Sequence, residues 1–413
     1  MLPGGGCQGA FAALGYVIIE KTAGACGSRL IPRFSSRTKP APPGFFVAIM
    51  TRPIVAQVNL AALRANLAKA REHAADAQVL AVVKANAYGH GLNRILPALA
   101  EADGLALLEL DAAIALRERH YVRRILLLEG FFSASELPEI ASRRLAVVVH
   151  HVEQIKMLEA ATLSRPIEVF VKVNTGMNRL GFRPGEAHAM VDRLSQTPSV
   201  AVLRMLTHLA RADEEDGLRE QLEAFEEACL GLPYPRSIAN SAGVVRYRDV
   251  GGEYVRPGIM LYGSSPFPYD TAEMLGLAPV MTLKSALIAV QDLKPNESVG
   301  YGGIYTAARA HRIGVVACGY ADGYPRHAPN GTPVLVCGKK VRTAGRVSMD
   351  LMTVDLTDAP EATVGSPVVL WGEGLPVDDV AVAASTVGYQ LLSSVTQRVP
   401  FVTTEIGKVD IEL

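Results

Sequence analysis

From about residue 78 to residue 261 the chain repeats one unit: a short apolar run, then an amphipathic stretch of helical length. The runs fall at 79–84, 104–110, 124–128, 145–150, 167–173, 200–208, 236–240 and 254–261. They are rich in Val, Ile and Leu and carry few internal charges, so they read as strands buried on both faces. Helical patterns lie between most of them, at Leu92–Ala102, Asp111–Arg119, Val152–Ala161, Gly185–Leu194 and Gly217–Cys229. Eight strands separated by helices or helix-length connectors is the count of a (β/α)8 barrel. An open doubly wound sheet is the alternative, but the first strand–helix turn lacks GxGxxG.

After about residue 280 the rhythm changes. Strand-like segments follow in quick succession at Thr282–Val290, Arg312–Ala317, Thr332–Val336, Val341–Arg346, Met352–Asp355 and Pro367–Trp371, punctuated by Asn330-Gly331 and Cys337-Gly338. A helical pattern spans about Val377 to Val395. The expected fold class is therefore α/β plus β: an N-terminal (β/α)8 TIM-type barrel and a C-terminal mainly-β domain. The expected division is 50–280 for the barrel and 281–413 for the β domain, with a first strand near 50–60 free to join the latter. A chain of 413 residues, 49% hydrophobic, has apolar content for two cores.

Residues 1–49 stand apart. They are rich in Gly, Pro, Ser and Arg, hold a single acid, Glu20, and end just before Met50. A start placed too far upstream, a transit peptide and a disordered tail are the competing readings, and the segment is expected to be dispensable. The apolar stretch from Gly9 to Ile19 stops at Glu20-Lys21, short of a membrane span. Charge balances at 41 basic and 41 acidic residues, which argues against an electrostatic nucleic-acid or membrane binder. The five cysteines are scattered, without CxxC spacing. Neither a disulfide framework nor a metal site is expected, and a cytoplasmic location fits.

Active sites of (β/α)8 enzymes gather at the C-terminal ends of the strands. Here those ends carry Lys84, Lys172 with Asn174, His208, Asn240-Ser241 and Arg256. A lysine ending a buried strand is partly desolvated, which lowers its pKa and makes the amine a usable nucleophile toward an aldehyde cofactor. Each residue also has a plainer reading. Lys84 can be a snorkelling surface residue, His208 a core histidine, and Arg256 an ion-pair partner. Asn240-Ser241 can cap a helix, or hold a phosphate at its N-terminus. Gly258 allows a close backbone approach, and Tyr301 lies among glycines in a tight turn.

With these residues assembled, the chain resembles the bacterial alanine racemases, pyridoxal 5'-phosphate (PLP) enzymes of fold-type III. The resemblance covers about residues 50–413. It rests on six motifs in family order: Ala81–Gly91, Lys172–Gly181, Thr207-His208 with Asn240-Ser241, Arg256–Ile259, Val299–Gly302 and Gly345–Asp350. By resemblance, Lys84 would hold PLP and act as one catalytic base. Tyr301, from the partner of a homodimer with shared sites, would be the other. Arg256 would face the pyridine nitrogen, with His208 beside it and Asn240 nearby. Tyr88, Ser241, Gly258, Ile259 and Tyr389 would hold the phosphate. Arg179 and Met349 would bind the substrate carboxylate. Lys172, as a carbamate, would position Arg179, and Asp350, Tyr320 and Arg346 would support the site. Two departures from the family pattern are Asn178, where glycine is usual, and Arg211, which could line the substrate entrance.

The implied reaction is interconversion of L- and D-alanine by two bases on opposite faces of Cα. It would supply D-alanine for peptidoglycan or allow its catabolism. A guanidinium at the ring nitrogen can only donate, leaving that nitrogen unprotonated and the cofactor a weaker electron sink. The alternatives are a broad-specificity, serine or lysine racemase, a PLP-dependent decarboxylase, and a non-catalytic PLP-binding protein. Arg256 disfavours the decarboxylase, and the β domain with Tyr301 disfavours the carrier.

Overall fold

A computed structural model describes residues 52–411 except 215–216, 248–251 and 406–407. The expectations for residues 1–49 lie outside the described residues. The first described strand, β1 (Val55–Asn59), runs into the helix Leu60–Ala74. Asn59 makes the switch: its side chain accepts the Ala62 N–H at 3.0 Å and caps the helix. Leu60, Leu63 and Leu67 recur at helical spacing and are buried.

Eight parallel strands follow: β2 (Gln78–Val82), β3 (Gly104–Leu107), β4 (Arg124–Leu127), β5 (Ala146–Val149), β6 (Ile167–Lys172), β7 (Val200–Leu206), β8 (Arg236–Ser237) and β9 (Tyr254–Val255). Their order is β8-β7-β6-β5-β4-β3-β2-β9. The seam between β9 and β8 closes through Arg256 N–H to Ala239 O at 2.8 Å and Ser237 Oγ to Tyr254 O at 3.1 Å. The closed (β/α)8 barrel expected from the sequence is present. Strands β3 and β5 are buried at every position, while Glu168 on β6 pairs with Arg124 on β4 at 2.9 Å and with buried Arg204 on β7 at 2.8 Å.

Several elements are shorter than the sequence pattern predicts. The run 254–261 is strand only over Tyr254–Val255, because Pro257 cannot donate to a ladder, and it turns into a 3-10 helix at Ile259–Tyr262. The pattern Leu92–Ala102 becomes a single helical turn, Leu92–Ile95, then a 3-10 segment that takes in Pro97. The expected helix at 377–395 is two, Val377–Ala383 and Gly388–Ser394, parted near Ser385, whose φ is 54°.

The C-terminal region forms a nine-stranded mixed sheet built on the long strand β10 (Met281–Leu293). Strand β1 belongs to this sheet, antiparallel to β10 and parallel to the strand Phe401–Glu405. A separate two-stranded hairpin pairs Ser298–Val299 with Tyr305–Thr306 and carries Tyr301 at its tip. Val299, Ile313 and Ala344 make a small core of their own beneath it.

Candidate active site

Lys84 stands two residues past the end of β2, and the chain then does something unusual. Ala85, Asn86, Ala87 and Tyr88 have φ of 53°, 51°, 58° and 51°. This is a left-handed helical turn of four non-glycine residues, at roughly 1–2 kcal/mol per residue. Surrounding contacts hold it. His90 Nδ1 lies 3.0 Å from the carbonyls of both Ala87 and Tyr88. Asn86 Oδ1 accepts the Leu92 N–H at 2.8 Å. The Tyr88 ring stacks on Tyr262 at 4.6 Å, and the Tyr262 hydroxyl donates to Val82 O at 2.9 Å. Serving two carbonyls, His90 Nδ1 carries the proton, and burial pushes the ring's pKa down to about 4.

The turn delivers Lys84 and Tyr88 to one cavity of about 590 Å³. The same cavity receives Lys172, Arg179, His208 and Arg256 from the strand ends. Asn240, Ser241, Gly258 and Ile259 line it from the last two strand–helix turns, and Tyr389 from the helix Gly388–Ser394. Thus eleven of the residues singled out in the sequence meet in space.

The cations act on one another. Burial, and then Arg179, lower the pKa of Lys84. Burial, with Arg256 and Arg179, brings Lys172 down to about 8. Burial and Arg256 push His208 to about 3, so its imidazole is neutral at pH 7. The positive charge around His208 is therefore not its own: Arg256 contributes most, followed by Lys172, Arg179 and Lys84. Burial lowers Arg256 to about 10, which leaves it protonated. Its guanidinium donates to Ser237 Oγ, to Thr207 O at 2.6 Å and to Ile238 O at 3.2 Å. That uses three of five N–H donors, and the group lines the cavity with the rest.

A polar cradle lies against the Tyr88 end of the lysine turn. Asn240 caps the helix Ser241–Arg246 by accepting the Gly243 N–H at 3.0 Å. Ser241 Oγ accepts the N–H groups of Gly258 at 2.8 Å and Met260 at 3.4 Å. A Cβ added at Gly258 would sit 2.5 Å from Tyr88 Oη. Glycine is what lets the Tyr88 hydroxyl close on the cradle.

Apart from Tyr389, the residues singled out in the β domain are placed differently. Tyr301, Tyr320, Arg346, Met349 and Asp350 line no part of the cavity described here. Tyr301 is 72% exposed and Met349 52%. Tyr320 N–H donates to Ser348 O at 3.0 Å, which joins the loops of Tyr320 and Met349. Gly300 backs onto Arg346, whose N would lie 3.5 Å from an added Cβ. These residues share one face of the β domain, with exposed Ile304 and Leu351 among them.

Sequence reasoning gave no role to His90 or Tyr262, although His90 lay within a quoted motif. It also overlooked Asp378, which lines the cavity while accepting Ser264 Oγ at 2.5 Å and Ser265 N–H at 2.9 Å. Asn178 has φ of 54°, the left-handed conformation that glycine also reaches, and Asn174 brackets it by hydrogen bonds at 2.9 and 3.1 Å. Arg211 is paired with Glu214 at 2.5 Å and lines no part of the cavity.

PLP fits what these residues offer: a desolvated amine, a cradle of hydroxyls and N–H groups that any Cβ at Gly258 would crowd, and a cationic floor that suits a phosphate. Barrel, strand-end lysine and appended β domain define the class of fold-type III PLP enzymes. Comparison with known proteins narrows the class. Residues 58–266 match the alanine racemase N-terminal domain and residues 280–403 the alanine racemase C-terminal domain. An alanine racemase of Nitrosospira multiformis is 54% identical over 86% of this chain and 100% of its own length. A relative from Klebsiella aerogenes, 49% identical with the same coverage, is named a catabolic alanine racemase. The crystal structure of the biosynthetic alanine racemase of Pseudomonas aeruginosa superposes with a TM-score of 0.84 at 48% identity, over 86% of this chain and all of that one. The chain belongs to the alanine racemase family, whose members are PLP-dependent isomerases.

Proposed function

We propose that the protein interconverts L- and D-alanine in a homodimer whose two active sites each combine one barrel with the Tyr301 face of the other subunit. The observation that carries this reading is the strand-end Lys84 in a cavity ringed by cations, while Tyr301 stands exposed on a face remote from that cavity. The division of labour follows 50–280 as barrel and 281–413 as β domain, with β1 lent to the latter.

Lys84 would hold the cofactor through its amine, and the same amine is placed to carry a proton at one face of Cα. Tyr301 of the partner subunit carries the proton at the other face. Ser241, Gly258, Ile259, Tyr88 and Tyr389 would hold the cofactor's phosphate, and Asn240 fixes the start of the helix that begins at Ser241. Arg256, with neutral His208 lining the same cavity, would face the ring nitrogen, where a guanidinium can only donate. When bound, PLP withdraws electrons from Cα and so acidifies its proton. Arg179 and the Met349 N–H of the partner subunit orient the substrate carboxylate. Lys172, with its pKa near 8, presents a partly neutral amine. That amine adds to CO2, an N–C bond forming and a proton leaving, and the carbamate's negative charge then holds Arg179. Asp350, Tyr320 and Arg346 brace the shared face.

No helix among the described residues is long and apolar enough to cross a membrane. Cys229, Cys318 and Cys337 are free thiols, which supports a reducing, cytoplasmic setting.

The test is subunit mixing. Purified PLP-loaded protein racemises L-alanine in preference to L-serine and L-lysine. Lys84→Ala and Tyr301→Ala homodimers are each inactive. Their mixture, after subunit exchange, recovers activity because one of the two sites in each mixed dimer is complete. Exchange without recovery refutes the shared site.

A further inference from the structure

The loop that carries Met349 is anchored from below by a charged cluster unconnected with the barrel cavity. At its centre is Asp322, fully buried. Its carboxylate accepts Arg52 Nη1 at 2.8 Å and Nη2 at 3.1 Å, Arg398 Nε at 2.7 Å and Gly319 N–H at 2.9 Å. Each arginine then reaches outward to the same residue. Arg398 Nη2 donates to Asp350 Oδ1 at 2.7 Å, and Arg52 Nη2 donates to Asp350 O at 2.9 Å.

The backbone around the cluster is equally constrained. Tyr320 and Ala321 donate their N–H groups to Ser348 O and Met349 O, both at 3.0 Å. A Cβ at Gly319 would lie 2.3 Å from Met349 O. Two loops are thus pressed together, one bearing Tyr320 and the other Met349 and Asp350. Both point of attachment and fixed distance come from Asp322. A buried ion cluster adds little net stability compared with packed apolar side chains. One planar guanidinium forked onto the Asp322 carboxylate and a second bridging it to Asp350 do fix geometry, since each sets direction as well as distance.

We propose that Arg52, Asp322 and Arg398 are positioning residues that hold Met349 and Tyr320 in register for the substrate carboxylate bound by the other subunit. The inference rests on the shared-site reading above. The cluster acts in trans: its loss damages the site in the neighbouring barrel and spares the barrel of its own chain.

Asp322→Asn keeps the shape and removes the charge. In the PLP-loaded homodimer KM for alanine rises roughly 10-fold or more, because a misplaced binding group loses orientation. The kcat changes by less than about 3-fold, since both proton carriers remain. Arg398→Lys, which keeps the charge but cannot bridge Asp322 and Asp350, gives the same split with a smaller rise, and serves if the first variant fails to fold.

The decisive measurement is the mixed dimer of Asp322→Asn with Lys84→Ala. Its one live site joins the Lys84 of the Asp322→Asn chain to the intact loop of the Lys84→Ala chain. KM there returns to the wild-type value. A KM still raised in the mixed dimer, or unchanged in the homodimer, overturns the proposal. The mixture of Lys84→Ala with Tyr301→Ala separates the two levels. If it recovers activity while the Asp322→Asn mixture does not recover KM, the cluster falls and the shared site stands. If it recovers none, both fall.

Discussion

Gly258→Ala isolates the contact that closes the phosphate cradle. The new Cβ would lie 2.5 Å from Tyr88 Oη, 3.3 Å from Tyr88 Cζ and 3.6 Å from Val82 Cβ. The backbone φ at Gly258 is −122°, so the effect is steric. Relief needs the Tyr88 hydroxyl to retreat by about 1 Å, to ordinary contact distance. The ring has little room for this. It is 6% exposed, stacked on Tyr262 at 4.6 Å and flanked by Tyr389 at 6.0 Å. Overpacking of this kind costs about 1–3 kcal/mol. With Tyr88 displaced, one hydrogen bond to a charged phosphate is lost or weakened, worth about 1.5–3 kcal/mol. The Kd for PLP should rise by roughly 10- to 100-fold. The assay is titration of the apo-protein with PLP, followed by tyrosine and tryptophan fluorescence. Tyr88→Phe closes the argument, because it removes the atom that the methyl strikes. In that background Gly258→Ala should weaken PLP binding far less, giving a coupling of about 1–2 kcal/mol. Equal fold-changes in the two backgrounds would show that Gly258 acts on the phosphate directly and not through Tyr88.

Two further outcomes are expected. In Tyr301→Phe, exchange of the α-proton with deuterated water should fall by on the order of 10²–10⁴ starting from L-alanine and much less from D-alanine; equal losses would contradict two independent proton carriers. His90 is neutral in the fold, with a pKa of about 4 against the ordinary 6.5, so between these values the unfolded chain binds a proton that the fold refuses. Stability should therefore fall as pH drops from 6.5 toward 4, by no more than roughly 3 kcal/mol. His90→Asn, whose side-chain amide can still donate to Ala87 O and Tyr88 O, should lose part of that slope in Tm against pH. The remainder includes His208, which is depressed further, to about 3, and His150, which burial also lowers. An unchanged slope would mean that His90 is not the group responsible.

What the sequence disclosed depended on how local the signal was. Apolar runs announce buried strands, and a charged residue at the end of one is conspicuous, so Lys84, Lys172, His208 and Arg256 could be collected before any geometry was known. The first helix has a local signal too, in Asn59 as cap and in the spacing of Leu60, Leu63 and Leu67, but it precedes the alternating pattern that begins near residue 78. The turn at 85–88 was not legible. Ala-Asn-Ala-Tyr carries no glycine to mark a left-handed conformation, and alanine alone favours the right-handed one. Contacts from His90, Leu92 and Tyr262 override that preference. Asp322 was equally hidden. In Gly319-Tyr320-Ala321-Asp322-Gly323 it has the look of a solvated turn residue, and its partners lie 270 and 76 positions away.

The charges of the cavity explain why the cofactor and the fold belong together. Lys84, Lys172, Arg179 and Arg256 line it, and each of the first two has its pKa lowered by burial and by the other cations. Glu129 is the lining carboxylate that opposes this at both lysines. Asp213 and Asp378 act instead on Tyr389, and burial raises the Asp378 pKa. Without an anion, the repulsion is relieved by giving up protons, which is what frees the Lys84 amine to react. On the proposed assignment of the site, a phosphate and a substrate carboxylate would offset the remaining cations, and Arg179 and Arg256 would gain partners. The arrangement that activates the lysine is thus the one that favours the loaded state, so binding and activation draw on the same electrostatic imbalance.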